Sequence, residues 1–446
     1  MKRHLSNAAY GVLDYVSYPA GMLLVAPIVL HRLGPSEYGL WMISTAVISA
    51  GGIIASGFCD ANIQRVAHLR GSNKHDLIPR TVRSMLGINL VIGSALAFCA
   101  WMAAEYAAPR VAGAHQISVS ECLISLRIAS ALILVRSIET VSVSTQRAFE
   151  QYRGTVQISS AVRLLTLASA AVLALLGYRT VSILMATALF LLLGSCLQFG
   201  QLRRFIGAVC LWPRLHSKET RVLLSLGIFT WLQALGSVVF GQFDRLALGV
   251  SLGAIAVAPY ALCVQFAQPI FGLTASGLSF LFPYLAGCRS TISSAAFKQT
   301  LLKALVCNLL LVAIGAGTLL LMGDWLIRLW AGQAIAQNAT RILVPTVLGS
   351  ALMGLSVTGT YAMQALGRFR AVALISLASR TAMLPLMIQL LRHGGIQGLA
   401  LSRLCYGSIA LLVYLPLLVQ LKSESKNDTS ASPIAISCHV QEEATL

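Results

Sequence analysis

The chain has 446 residues, 57% of them hydrophobic and only 11% charged. A water-soluble domain carries roughly 25% charged residues, so this composition excludes a soluble globular protein and names a bilayer as the solvent. Lys and Arg number 33 against 15 Asp and Glu, a net charge of +18.

Twelve apolar runs of spanning length follow one another in the sequence: Val12–Leu30, Tyr38–Cys59, Ser84–Ala104, Cys122–Thr145, Thr155–Leu176, Val181–Gly200, Val222–Gly241, Ala254–Pro283, Leu301–Met322, Leu343–Ala365, Ala371–Leu391 and Leu399–Leu421. A run of about 20 residues crosses a hydrocarbon core of about 30 Å as a helix. In lipid the backbone must satisfy itself within helices or closed barrels. The period-2 alternation of a barrel is absent, so the expected fold is all-α, integral to the membrane. Pro259, Pro269 and Pro283 punctuate the eighth run and imply kinks. The opening MKRHLSN is too polar and short for a cleavable leader, so the first run reads as a retained span. The stretch 422–446 is rich in Ser, Thr, Asn and Glu and reads as a disordered cytoplasmic tail.

The basic residues sort with this topology. With the N-terminus inside, Arg32, Arg110, Arg179, Arg245, Arg328, Arg341, Arg392 and Arg403 fall outside or near outer ends. Arg127, Arg136, Arg163 and Arg380 fall within spans, and the other 21 Lys and Arg fall inside. The asymmetry orients both termini to the cytoplasm. Basic loops against anionic lipid explain the net charge, so a nucleic-acid partner is not expected. The ten cysteines are scattered singly, with no CxxC and no Cys/His cluster; they read as small apolar residues, and neither a metal nor a cofactor is expected.

The chain also repeats itself. Arg153, Ile158-Ser159 and Arg163 are matched at identical spacing by Arg370, Ile375-Ser376 and Arg380, each set preceded by a loop that opens on Gln146 or Gln364. Leu33-Gly34 and Tyr38 have a weaker echo in Leu252-Gly253 and Tyr260. Two halves of six spans in the same orientation form a parallel repeat, with a substrate site expected between them. The domain layout follows: an N-terminal six-helix lobe at 1–200, a basic cytoplasmic loop at 201–221, a C-terminal six-helix lobe at 222–421, and the tail.

Several of these segments carry a family resemblance. Leu33-Gly-Pro-Ser-Glu-Tyr-Gly-Leu-Trp41, Asp244-Arg-Leu-Ala-Leu-Gly249 with Gly253 and Tyr260, Pro283-Tyr-Leu-Ala286, the Gln364–Arg370 loop and the Gly394-Gly-Ile-Gln-Gly398 turn resemble polysaccharide transporters, in particular the Wzx-like O-antigen flippases of the multidrug/oligosaccharidyl-lipid/polysaccharide exporter superfamily. The resemblance implies two lobes in a V around a central cavity and alternating access. It also implies export of an undecaprenyl-diphosphate-linked oligosaccharide across the bacterial inner membrane, for O-antigen, capsule or exopolysaccharide. Membrane lipid, a proton or sodium ion exchanged in antiport, and other membrane proteins of polysaccharide assembly are the further partners it implies. One position departs from the family: where members often place an acid before the Gly ending the second helix, this chain has Ser56 before Gly57, with Asp60 one turn later.

The intramembrane charges are the candidate site. Arg163 lies ten residues beyond Arg153, about 15 Å deep, and Arg380 stands in the same relation to Arg370. Arg136, eleven residues before Arg147, is at similar depth. A buried cation there must face a cavity or a partner. Arg suits a diphosphate through bidentate hydrogen bonds, so Arg163 and Arg380, with Arg136, are candidates to attract the headgroup. Structural pairing is the competing reading, and for Arg136 a pair with Glu139 on the same helix face is favoured. Candidates for gating or ion coupling are Asp14, Asp60, Glu139 and Asp244. Against those roles, Asp14 could pair with Lys2 or Arg3, Asp60 reads as a surface charge, and Asp244-Arg245 as an interfacial ion pair. Gln157, Gln233, Gln265, Gln268 and Asn308 could meet sugar hydroxyls or bond neighbouring helices. No P-loop, HExxH or Asp-rich metal pair is present, and the outer loops are short, so an enzyme is not expected. A multidrug exporter of the same superfamily and a membrane-bound polymerase are the alternatives.

Overall fold

The structure, a computed structural model, describes residues 2–113, 117–149, 152–207, 211–278, 281, 294–366 and 368–420. Among them there is no strand. The helices are α1 (Lys2–Ser56), α2 (Cys59–Gly71), α3 (Ile78–Ala112), α4 (Val119–Ala148), α5 (Tyr152–Leu175), α6 (Thr180–Ile206), α7 (Ser217–Gly241), α8 (Phe243–Leu252), α9 (Ala254–Gly277), α10 (Ser294–Ala331), α11 (Gln333–Ala365) and α12 (Phe369–Ala410). The expected tail lies outside the described residues.

Among the described residues, eight stretches are long and apolar enough to cross a membrane. The two longest, Gly21–Gly71 and Ala371–Gln420, have 51 and 50 residues. Each contains a glycine at positive φ, Gly34 (φ 84°) and Gly395 (φ 55°), which breaks the helix between two expected spans. Only glycine takes this conformation without a Cβ penalty. The fourth and seventh expected spans, in α4 and α7, are not among the eight; Glu121, Arg127, Arg136, Glu139 and Arg147 lower the apolarity of α4. The seventh, expected to end at Gly241, continues past a break at Gln242 (φ −134°, ψ −30°) as α8. α9 runs as helix through Pro259 and Pro269; Pro283 lies outside the described residues. Helix ends overrun the expected spans, α3 and α10 by several residues at both ends, because the backbone ladder continues into interfacial polar residues after the apolar run stops.

Two compact units are present. The first comprises Met1–Gln265, Asp324–Ile342 and Leu384–Leu399. In it α3 packs along α4, α1 lies against α4 and α5, and α6 closes on α4 and α5. Gly39 of α1 sits so tightly on the Ala254 carbonyl that a Cβ would overlap it. The second comprises Phe266–Gly323, Leu343–Met383 and Ala400 onward. Its core joins Leu301, Met363, Leu366, Val413 and Leu417, and Gly349 and Gly407 let backbones meet, a Cβ at Gly349 lying 2.7 Å from the Arg403 carbonyl oxygen. Large apolar side chains face outward, Leu321 at 87% exposure, as a lipid-facing surface requires.

The repeat is written in the backbone as well as the sequence. Gly34 and Gly253 are 219 residues apart and share their conformation (φ 84°, ψ 169° and φ 81°, ψ 172°). Gly113 (φ 62°) and Gly332 (φ 78°) are also 219 apart, and Gly177 (φ 81°) and Gly395 (φ 55°) are 218 apart. A side-chain clamp repeats too. In α3, the Asn89 amide donates to the Ser137 carbonyl (2.8 Å) and Thr140 hydroxyl (3.1 Å) of α4. In α10, 219 residues on, the Asn308 amide donates to the Gly354 carbonyl (3.0 Å) and Thr358 hydroxyl (2.9 Å) of α11. Each clamp leaves its Asn Oδ1 buried without a partner among the described residues.

Candidate functional site

α12 carries Arg380 along one wall of a cavity of about 230 Å³ in the second unit. The guanidinium is half-buried, and its Nε donates to the Tyr406 hydroxyl at 3.2 Å. Ser356, Thr360 and Tyr361 of α11 and Ser376 and Ser379 of α12 add hydroxyls to the lining. Most of the lining is apolar, and the Ser356, Thr360, Tyr361 and Ser379 hydroxyls donate to backbone carbonyls; it is the guanidinium that suits the cavity to an anionic ligand. Tyr406 has no equivalent in the first half, where the position 218 residues earlier is Ala188.

Arg163 is half-buried on α5 in the first unit. One turn before it, Ser159 joins a buried amide network. Gln146 Nε2 donates to the Gln198 carbonyl (3.1 Å) and Oε1 (2.9 Å). Thr155 Oγ1 donates to Gln146 Oε1 (2.9 Å), and Gln198 Nε2 to the Thr155 carbonyl (3.1 Å) and Ser159 Oγ (3.3 Å). α4, α5 and α6 are thereby fixed beneath Arg163. Sequence reasoning missed this network, although Gln146 opens the repeated loop and was visible as such.

The other candidates separate by environment. Arg136 Nη1 bonds Glu139 Oε2 at 3.0 Å, with Glu139 buried and Arg136 half-buried, the pairing that the i,i+3 spacing favours. Asp244 is buried at the start of α8; its Oδ2 accepts from the Tyr260 hydroxyl (2.6 Å) and its Oδ1 from the Arg245 backbone N–H (2.7 Å). Asp60 is exposed in the first turn of α2. The side chain of Asp14 lies outside the described residues, as does that of Gln233. Arg127 bonds Glu105 at 2.6 Å beside Trp101. Asn308 bonds a neighbouring helix, Gln265 meets Tyr38 and Met42, and Gln157 and Gln268 are exposed.

Solved structures share this helical arrangement. An inward-facing multidrug resistance MATE family transporter of the MOP superfamily matches with a TM-score of 0.76 at 14% identity, covering 93% of this chain and 99% of the other. The lipid II flippase MurJ, in an inward closed conformation, gives 0.73 at 16%, covering 93% and 87%. A MOP superfamily transporter from Pyrococcus furiosus gives 0.60 at 14%, covering 92% and 96%. No curated protein sequence matches. The chain is thus a multi-pass, all-helical membrane protein with the fold of MOP superfamily transporters. Residues 7–288 match the polysaccharide biosynthesis protein family, and the chain belongs to that family.

Proposed function

We propose that this protein is a flippase that carries an undecaprenyl-diphosphate-linked oligosaccharide across the bacterial inner membrane, both termini cytoplasmic, for surface polysaccharide assembly. The observation that carries the reading is the duplicated arginine: Arg163 and Arg380 occupy the same repeat position, 217 residues apart, and Arg380 lines a cavity within the second unit. Membership in a polysaccharide biosynthesis family supports a saccharide-bearing cargo. In this reading the two arginines engage the diphosphate, and the six-helix halves at 1–200 and 222–421 exchange inward- and outward-open states around it. Arg136 is neutralised by Glu139 and is not assigned a direct contact with the cargo. Asp244, the buried acid held by Tyr260, is the preferred coupling group among the four acids.

The test is complementation in a cell lacking this gene. Wild type restores surface polysaccharide, and Arg163→Ala and Arg380→Ala fail at matched membrane expression. If the Ala variants work as well as wild type, the arginines are structural. Likeness to a multidrug transporter keeps a second reading in view: a wild type that restores no polysaccharide and lowers drug accumulation replaces the flippase with a drug exporter.

A further inference from the structure

α2 and the N-terminal part of α7, placed on the cytoplasmic side by the proposed topology, meet along a closely packed seam. At its inner end the chain breaks after Gly57, and the Gly57 carbonyl accepts the Thr230 hydroxyl of α7 at 2.8 Å. Gly57 rests on the backbone of Trp231, where a Cβ would come within 2.7 Å of Trp231 Cα. Gly227 in turn receives the ring of Phe58, which stacks on Trp231 with centroids 5.9 Å apart. These helices mesh glycine against ring rather than interlocking long side chains.

Seven residues further along α2, about 10 Å, the seam ends in charge. Arg65 Nε and Nη2 donate to the two carboxylate oxygens of Glu219, both at 3.0 Å. The single Thr81 Oγ1 proton of α3 is shared between the Leu77 carbonyl (3.0 Å) and Glu219 Oε2 (3.2 Å). The side chains are 21% and 10% exposed. Glu219 is the one acid in the stretch from Arg203 to Arg221, which holds five Lys and Arg. A single carboxylate placed in so basic a segment, and met by a two-point Arg fork from another helix, is a specific fastening rather than a solvated surface charge.

We infer that Arg65, Glu219 and Thr81 form the cytoplasmic latch of the transport cycle. Closed, the latch holds α2 against α7; when it parts, water solvates both charges and the glycine–ring seam behind it can separate. A half-buried pair suits this role, because desolvation offsets much of its attraction and leaves the closed state reversible. The inference holds for any cargo, so it stands or falls separately from the substrate assignment.

The test uses full-length protein in inside-out vesicles and a membrane-impermeant maleimide, in a background with the native cysteines replaced. A probe cysteine at Ala61→Cys reports the seam, since Ala61 is 1% exposed and lies under Gly227. A control at Ala129→Cys reports the fully buried interior of α4. Glu219→Gln is expected to raise labelling at position 61 about tenfold, the shift of losing one charge-assisted fork, and to leave position 129 unlabelled. The exchange Arg65→Glu with Glu219→Arg is expected to return labelling at 61 toward wild type. The latch is overturned if Glu219→Gln leaves position 61 closed, if both positions open together, as a general loss of fold would give, or if the exchange is as open as the single change.

Discussion

Replacing Asn89 tests the packing of the repeat most sharply. Its amide makes two hydrogen bonds to α4 while its Oδ1 stays buried and unpaired. Interhelical hydrogen bonds in membrane proteins average about 0.6 kcal/mol each, so Asn89→Leu forfeits about 1 kcal/mol. It also removes the unpaired oxygen, and it orphans no acceptor, because the Thr140 hydroxyl still donates to the Ser137 carbonyl at 2.8 Å. The net cost is expected at about 1 kcal/mol or less. Asn89→Asp keeps the shape, removes both donors and sets carboxyl oxygens against a carbonyl; its cost is expected above about 3 kcal/mol. Asn308 makes the equivalent pair of bonds in the second half, to a carbonyl and a threonine hydroxyl, so Asn308→Leu and Asn308→Asp are expected to rank identically. SDS-driven unfolding in bicelles, with the intrinsic tryptophans as reporter, measures all four. A Leu variant as damaging as its Asp counterpart, or opposite rankings in the two halves, would refute the clamp as the duplicated unit of packing.

Other expectations follow from the same contacts. Gly253→Ala and Gly34→Ala, each at positive φ, are expected to lose about 1 kcal/mol in that unfolding assay, whereas Gly317→Ala, in open space within a helix, should be neutral or slightly stabilising. Gly39→Ala drives a methyl into the Ala254 carbonyl and is expected to lower folded yield severalfold, read by size-exclusion chromatography. Arg136→Ala strands the buried Glu139 and should cost about 3–5 kcal/mol; adding Glu139→Gln should recover much of that, a sign that pairing rather than cargo contact is the role of Arg136.

How far sequence carried the structure depends on whether a feature is local. Gly253 and Gly34 were legible because a helix-ending glycine leaves its mark in neighbouring residues, and their shared φ and ψ follow. Arg163 and Arg380 were legible as a pair because the repeat sets their spacing. The pairing of Arg136 with Glu139 was legible because both lie on one turn. Arg65 with Glu219 was not: 154 residues separate them, and each alone looks like an ordinary loop charge. The Asn89 clamp was hidden for the same reason, since a polar residue in an apolar run does not say which helix it faces. Nothing in the sequence marks Tyr406 among the aromatics of the spans, though its hydroxyl accepts from the Arg380 guanidinium that the repeat singles out. The helix ends were misplaced because apolarity marks the hydrocarbon boundary, while hydrogen bonding sets the end of the helix.

The most direct trial of the flippase reading is translocation by purified protein in proteoliposomes loaded on one leaflet with an undecaprenyl-diphosphate-linked oligosaccharide. Arrival on the opposite leaflet is scored by lectin capture. Wild type is expected to move the lipid, and Arg163→Ala and Arg380→Ala to slow it at least about tenfold, the equivalent of 1.4 kcal/mol, with Arg380→Lys intermediate because Lys cannot form the fork. Wild-type protein that is folded and inserted yet moves no more lipid than empty liposomes would contradict the proposed function outright.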